Sequence, residues 1–210
     1  MYIKSRSEIY NLLRETYEPP IKEDVLLRLS ESSTGHPELD DELASINDGL
    51  KAETSNDAFM DDVNKEYHRL FQKRTILPGS LAVYDELNRP GCVAQTSLIM
   101  QCIYVGWAYQ QKHRSTGSIG AYLLSHLEFI AFLAQSARID KMTYRQFSYL
   151  AASRDFLSKC LIPWMELIFD VVSLECKHQL LPATVQFTSA FIKMDDQELE
   201  PMLDGWWQSY

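Results

Sequence analysis

Hydrophobic residues recur every three or four positions along most of the chain, which is the spacing of helices that bury one face. The first stripe predicts a helix that Ser7 caps and that Pro19-Pro20 ends. Further stripes follow at the same spacing, separated by short polar or proline-containing breaks. The stripes up to residue 72 consist of Ile9, Leu12, Leu13 and Tyr17; Ile21, Val25 and Leu29; Leu39, Leu43, Ile46 and Leu50; and Phe59, Val63, Tyr67 and Leu70.

The second half of the chain continues the helical pattern. A long helix is predicted from Val93 to about Lys112. The next helix has small residues at Gly120, Ala131 and Ala134, which favour close packing against neighbouring helices. Together with Leu127, they indicate a helix at the centre of a bundle.

Capping and breaking residues divide the remainder into three predicted helices. Thr143 is the predicted cap of the first, and Pro163 suits the first turn of the second. Pro182 opens the third, and Asp195-Asp196 is predicted to break it. The residues from Pro201 onward then form a predicted tail.

These patterns together predict an all-α protein. No alternating strand pattern exceeds a few residues, and Gly and Pro number only 8 each. A chain of 210 residues that is 46% hydrophobic can bury a substantial core. We therefore expect residues 1–210 to form a single-domain helical bundle of about nine helices, with those around Leu127 and Val171 at its centre.

The charge is strongly acidic and unevenly distributed. The net charge is -9, and the stretch from Glu38 to Asp62 contains nine acids against one base, Lys51. Such a surface repels nucleic acid and would attract a basic peptide. A solvated helix face is the more common reason for such a stretch, so both interpretations stay open.

No catalytic or metal-binding motif is recognisable. The chain lacks a glycine-serine-glycine elbow, a phosphate loop with its lysine, and histidines spaced four apart on one helix. Cys176 and His178 would face different sides of a helix, so no metal site is expected there. We therefore predict a protein that binds rather than catalyses, without a metal or cofactor.

The cysteines and the start of the chain indicate the compartment. Cys92, Cys102, Cys160 and Cys176 form no Cys-x-x-Cys pair and are predicted to be free thiols in a reducing environment. The sequence begins without a recognisable secretory leader, and no apolar run reaches the length that spans a bilayer. A cytoplasmic location is the expectation.

Two acids and several aromatics stand in apolar surroundings. Glu66 and Glu128 are each predicted either to form an ion pair or hydrogen bond between helices, which is favoured, or to contact a ligand. Tyr67, Phe71 and Tyr84 belong to the core by default, although their polar tips or flat rings also suit the wall of a peptide groove.

Three sequence motifs follow one another in the middle of the chain. They are Glu66-Tyr67-x-x-Leu70-Phe71 followed by Pro78 and Val83-Tyr84; the run from Leu127 to Leu133; and Phe156-Leu157 followed by Trp164 and Phe169. In this order they resemble the motifs of the TorD/DmsD/NarJ family of redox-enzyme maturation chaperones. The resemblance covers about residues 55–175 and fits the length and acidity of the chain. Where the family usually has a Gly-Pro pair, this chain has Gln72-Lys73-Arg74-Thr75.

The resemblance implies a cytoplasmic all-α chaperone without turnover. Such proteins bind the twin-arginine signal peptide of a molybdopterin oxidoreductase precursor while its cofactor is inserted before export. It further implies a monomer or a domain-swapped dimer with no nucleic acid partner and no transmembrane segment. The alternatives are a helical regulatory or scaffold module that binds a basic partner through its acidic face, and a small nucleotide hydrolase.

A peptide with two arginines and an apolar stretch needs carboxylates for its guanidinium groups and an apolar groove for the remainder. We expect the loop from Gln72 to Pro90 to form one side of this groove and the helix of Glu128 to form the other. Tyr122 aligns with part of an Asp-His pair that some family members use for signal-peptide binding. The predicted client-binding residues are Glu66, Tyr67, Phe71, Tyr84, Glu86, Tyr122 and Glu128.

Overall fold

The computed structural model describes residues 2–32, 34, 36–53, 58–72, 103–104, 106–107, 109 and 119–207. All regular structure within these residues is helical, which confirms the all-α class. When a helix that continues through a π segment is counted once, the described residues form seven helices. The count of about nine for the whole chain stays a prediction, since most of the predicted Val93–Lys112 helix lies outside them. The α-helices are α1 (Tyr2–Thr16), α2 (Glu23–Ser30), α3 (Pro37–Glu53), α4 (Phe59–Tyr67), α5 (Ile119–Ile139), α6 (Thr143–Phe156), α7 (Ile162–Glu175) and α8 (Leu180–Trp207).

The core is built from the predicted apolar stripes. Every stripe residue up to Leu70 is buried except Leu12, which is half-buried. One hydrophobic cluster draws buried side chains from all eight α-helices. Because burying a Leu, Val or Phe side chain stabilises the fold by about 1.5–3 kcal/mol, these stripes determine how the helices face one another.

Helix α5 lies at the centre, as its small residues predicted. Residues 123–131 are buried without interruption, and α1 and α6 pack against this helix. Leu127 is fully enclosed, and Ala131 and Ala134 are buried beside it. A helix that is apolar on all sides is stable only when other helices surround it.

Two residues predicted to cap helices do not occupy the cap positions. Helix α1 already begins at Tyr2, so Ser7 lies inside the helix and is buried. Thr143 is the first residue of α6, and Met142 takes the cap position without a side-chain capping bond. The turn is held instead by Asp140, whose Oδ1 accepts a hydrogen bond from the Met142 N–H at 2.9 Å.

The predicted break at Asp195-Asp196 is also wrong. Helix α8 runs through it from Leu180 to Trp207, with Pro201 inside the helix rather than in a tail. Asp195 is fully buried, and Arg6 of α1 pairs with it across the core. An acid at a buried helix position is stable when a distant partner neutralises it, and that partner is not visible in the local pattern.

Helices α6 and α7 are two parts of one continuous run. A π segment, Leu157–Leu161, joins them, so the two helices predicted separately follow one another without a loop. Pro163 lies in the first turn of α7, as predicted. The wider π turn directly before it is a place where the missing proline N–H is tolerated. A second π segment, His68–Gln72, extends α4.

Candidate functional site

A groove of about 620 Å³ opens between α1, α5, α6 and the segment at Tyr109. We call it the acidic groove. Two carboxylates, Glu128 and Asp140, contribute to its lining, and Arg14 is the basic residue among its lining side chains. The groove is therefore a surface concavity in which charged and apolar groups lie side by side.

Glu128 of α5 is held in a defined position in the acidic groove by burial and by contacts with Arg14 and Tyr109. It is 7% exposed, and its Oε1 lies 3.5 Å from a terminal nitrogen of Arg14 on α1. The hydroxyl of Tyr109 donates a hydrogen bond to Oε2 at 3.0 Å. The ion pair between α1 and α5 confirms the interhelical pairing predicted for Glu128. The same carboxylate also faces the groove, so the two interpretations of this residue are compatible.

Tyr109 keeps its proton in this environment. Burial raises the pKa of its hydroxyl well above the ordinary value, and the negative charge of Glu128 raises the pKa further. The hydroxyl therefore donates to the carboxylate at any pH near neutrality. This donor holds Glu128 in place while leaving Oε1 directed toward Arg14.

Apolar side chains form the remaining wall of the acidic groove. Phe132 and Tyr149 are half-buried there, whereas Ile139 is 63% exposed at the end of α5. Tyr109 and Phe132 have ring centroids 5.6 Å apart, which connects the hydrogen-bonding side of the groove to its apolar side. The groove can therefore contact both a cationic head group and an adjoining apolar chain.

Glu66 lies on α4, away from the residues that line the acidic groove, and its partner is Arg69. It is buried on α4 and accepts hydrogen bonds from Arg69, at 2.9 Å to Oε2 and 3.3 Å to Oε1. This pair lies within one helical run, but Arg69 also donates to the Glu175 carbonyl at the end of α7 at 2.6 Å, so Glu66 and Arg69 together connect α4 to α7. The hydrogen bonds from Arg69 lower the pKa of Glu66, so it is ionised near neutral pH. Glu66 does not contribute to the lining of the acidic groove.

Tyr67 and Phe71 are core residues. Both are essentially inaccessible, and their rings stack with centroids 4.8 Å apart. The Tyr67 hydroxyl donates to the Tyr17 carbonyl at 2.6 Å, and burial raises its pKa. These side chains contact the chain itself rather than a surface groove, so any role in client binding stays a prediction.

Three other predicted residues fall partly or wholly outside the structure. Tyr84 and Glu86 lie outside the described residues, as does nearly all of the predicted Gln72–Pro90 loop. Tyr122 lies in the first turn of α5, but its side chain is not among those described. Their proposed contacts with a client stay predictions.

The residues that sequence reasoning missed are the partners of Glu128. Arg14 belongs to the last turn of α1, and Tyr109 lies just before a part of the chain that is not described. Neither has a motif around it. Arg14 reaches Glu128 through the packing of α1 against α5, and Tyr109 reaches it from a separate segment, so no local signal could have identified them.

Cysteine thiols and clusters of metal-binding residue types are the other chemical features that could indicate a site. Cys160 and Cys176 form no disulfide bond, and the described residues contain no group of three or more His, Cys, Asp or Glu that could hold a metal ion. In the same part of the chain, no helix has the length and apolar character needed to cross a membrane.

Comparison with known proteins gives a family. A family model described as the nitrate reductase delta subunit matches residues 36–170, more than half of the chain. This range includes α3 to α6, most of α7, and Glu128. No curated protein and no solved structure matches. The match confirms the resemblance drawn from the motifs. The chain therefore belongs to the nitrate reductase delta subunit family, a family of molybdoenzyme maturation chaperones of the NarJ and TorD type.

Proposed function

We propose that this protein is a cytoplasmic chaperone that binds the twin-arginine signal peptide, or the N-terminal region, of the catalytic subunit of a molybdopterin oxidoreductase. It acts by binding, without turnover, and assists cofactor insertion and assembly before export. The family supports the client class, and the acidic groove supports the mode of binding. The observation that carries the proposal is the buried Glu128 carboxylate beside an apolar wall.

An arginine of the client would take the place of Arg14. The Arg14–Glu128 separation of 3.5 Å exceeds the roughly 2.7–2.9 Å of a strong charge-assisted hydrogen bond. The Arg14 side chain is 22% exposed and also lies 3.6 Å from Glu15, so Arg14 would turn toward Glu15 when a guest binds. A guest guanidinium could then bind the same carboxylate at close range while Tyr109 continues to hold it.

Asp140 provides a second carboxylate for the neighbouring arginine. Its Oδ1 is already bonded to the Met142 backbone, whereas its Oδ2 lies 3.7 Å from Arg145, a loose contact. Both acids contribute to the lining of one groove. Because twelve residues of helix separate them by roughly 18 Å, adjacent arginines reach both acids when their side chains extend in opposite directions along the groove.

Binding of a synthetic peptide tests this function. The peptide contains two adjacent arginines followed by about ten apolar residues, the length of a typical export-signal core. Calorimetry should show binding to the wild-type protein, weakened by about tenfold or more in Glu128→Gln, because a charge-assisted hydrogen bond contributes about 1.5–3 kcal/mol. A peptide with lysines in place of the arginines should also bind more weakly, since lysine lacks the planar fork.

The matched control is Glu166→Gln. Glu166 lies on α7, is ion-paired to Lys193 at 2.8 Å, and does not line the groove, so its loss should leave peptide affinity unchanged. Glu66→Gln tests the other predicted carboxylate in the same assay. An unchanged affinity in Glu128→Gln would remove the acidic groove from the site, and no binding by the wild type would contradict the proposed function itself.

A further inference from the structure

A second groove, of about 640 Å³, lies along another face of α6. We call it the apolar groove. Ser148, Ala152, Asp155 and Lys159 follow one another at helical spacing along this wall. Its apolar and sulfur-containing lining consists of Ile103, Trp107, Ala151, Ala152, Phe156 and Cys160.

A pair of aromatic rings connects the linings of the two grooves. Tyr149 lines the acidic groove, Trp107 lines the apolar groove, and their ring centroids are 5.4 Å apart. Tyr149 and Ser148 are consecutive residues of α6, so this helix contributes one wall to each groove. We call the Trp107–Tyr149 pair the aromatic ridge.

The apolar groove differs from its neighbour in charge. Its two charged residues, Asp155 and Lys159, pair with each other at 2.9 Å on its exposed rim and cancel. Ala151 and Ala152 leave space between the larger Trp107 and Phe156 side chains. An uncharged chain with bulky apolar side chains suits this lining, whereas a cationic group finds its match only on the other side of the ridge.

We propose that the two grooves form one bipartite site. The arginines of a client leader bind in the acidic groove, and the apolar segment that follows them crosses the aromatic ridge and fills the apolar groove. The inference rests on the proposed function and adds the place where the second half of the leader binds. It predicts that the affinity for the client leader depends on two separate grooves, to each of which α6 contributes.

Another apolar surface competes for this assignment. The turn between α5 and α6 exposes Ile139, Met142 and Tyr144, and Ile139 borders the acidic groove. A groove removes more of a guest side chain from water than an exposed turn does, so the apolar groove is the better fit. The experiment includes both surfaces.

Two synthetic peptides separate the halves of the site. The long peptide carries two arginines followed by about ten apolar residues, and the short peptide carries the arginines with a polar continuation of equal length. For the wild-type protein, the long peptide should bind about tenfold tighter or more. In Ala152→Trp, where the indole occupies the groove, this advantage should disappear while the affinity for the short peptide stays the same. The unchanged short-peptide affinity also shows that the variant is folded.

Each outcome decides one question. The double variant Met142→Gln, Tyr144→Gln should keep the advantage of the long peptide, and loss of the advantage there would overturn the inference in favour of the turn. An unchanged advantage in Ala152→Trp would also overturn it. If the tryptophan weakens both peptides, Ala152→Leu replaces it, and an advantage retained in that variant overturns the inference. Failure of the wild type to bind either peptide contradicts the proposed function instead.

Discussion

Arg6 and Asp195, 189 positions apart in the chain, form a fully buried ion pair that joins α1 to α8. The Arg6 Nε lies 2.6 Å from Oδ1 and 2.9 Å from Oδ2, and the Tyr10 hydroxyl donates to Oδ2 at 2.7 Å. These contacts offset the cost of removing a carboxylate from water. The first and last helices of the described chain are thus held together by charge as well as by apolar packing.

Asp195→Ala should lower the free energy of unfolding by about 3–5 kcal/mol, because the guanidinium of Arg6 loses its buried counter-charge. Urea denaturation measures the change. Glu200→Ala is the control, since it breaks the exposed Arg154–Glu200 pair at 2.7 Å and should cost less than about 1 kcal/mol. Equal losses in the two variants would show that burial does not distinguish these pairs.

His126 should make the stability depend on pH. Burial lowers its pKa from 6.5 to about 3, so the imidazole is neutral in the folded protein. In the unfolded chain it takes up a proton near its ordinary pKa. The neutral ring therefore makes its full contribution to the free energy of unfolding above about pH 6.5. This contribution is lost as the pH falls toward 3, by at most roughly 1.4 kcal/mol per pH unit.

His126→Phe tests this dependence. Phenylalanine can keep ring contacts with Phe156 and Trp164, whose centroids lie 5.5 and 5.7 Å from the imidazole. Urea denaturation should show that, between about pH 7 and about pH 5, the free energy of unfolding falls less in the variant than in the wild type. His68→Gln, at an exposed position, should retain the wild-type difference. An identical pH dependence in His126→Phe would contradict the assignment.

Arg14→Ala should increase the affinity for an arginine-containing peptide. Removal of the internal guanidinium takes away one cation that competes with the guest for Glu128, and a partly exposed ion pair of about 1 kcal/mol corresponds to roughly fivefold tighter binding. Calorimetry with the twin-arginine peptide measures the change. Arg138→Ala should have no such effect, because Arg138 pairs with Glu8 at 3.9 Å and does not line the acidic groove. Weaker binding in Arg14→Ala would mean that Arg14 supports the site rather than competes for it.

Asn64 should be important for the stability of the α1–α2 connection. Its Oδ1 accepts the Ile21 N–H at 2.6 Å, and its Nδ2 donates to the Ile21 and Met60 carbonyls at 3.1 and 2.9 Å. Asn64→Ala leaves backbone groups unpaired and should cost about 1–3 kcal/mol in urea denaturation. Ser45→Ala, on an exposed part of α3, should change stability by less than about 0.5 kcal/mol. Similar values for both would contradict the anchoring role.

Much of the fold could be predicted because helix burial repeats locally. The stripes containing Leu43 and Val63 needed only the spacing of apolar residues, and these residues are buried as expected. Asp195 does not break α8 as predicted, because its partner lies on the first helix. The junction of α6 and α7 contains no loop, although Pro163 usually marks a new helix, because a π turn accommodates it.

The candidate site was only partly predictable, because its residues meet through the packing of helices rather than through spacing along the chain. The apolar surroundings of Glu128 indicated a paired or functional acid, and the structure shows the pair with Arg14. The groove itself arises from the relative placement of α1, α5 and α6, which spacing along the chain does not encode. Tyr67 shows the reverse case, because an aromatic residue in a family motif is enclosed in the core.

The π segment Leu157–Leu161 gives the long α6–α7 run an extra residue within one turn. Deleting one residue there would restore ordinary α-helical winding without separating the two halves, whereas the same deletion inside α5 would shift every later side chain by about 100°. Lys159 and Cys160 of this segment also border the apolar groove. The width of that wall is therefore a dimension of the molecule that a change in chain length can alter.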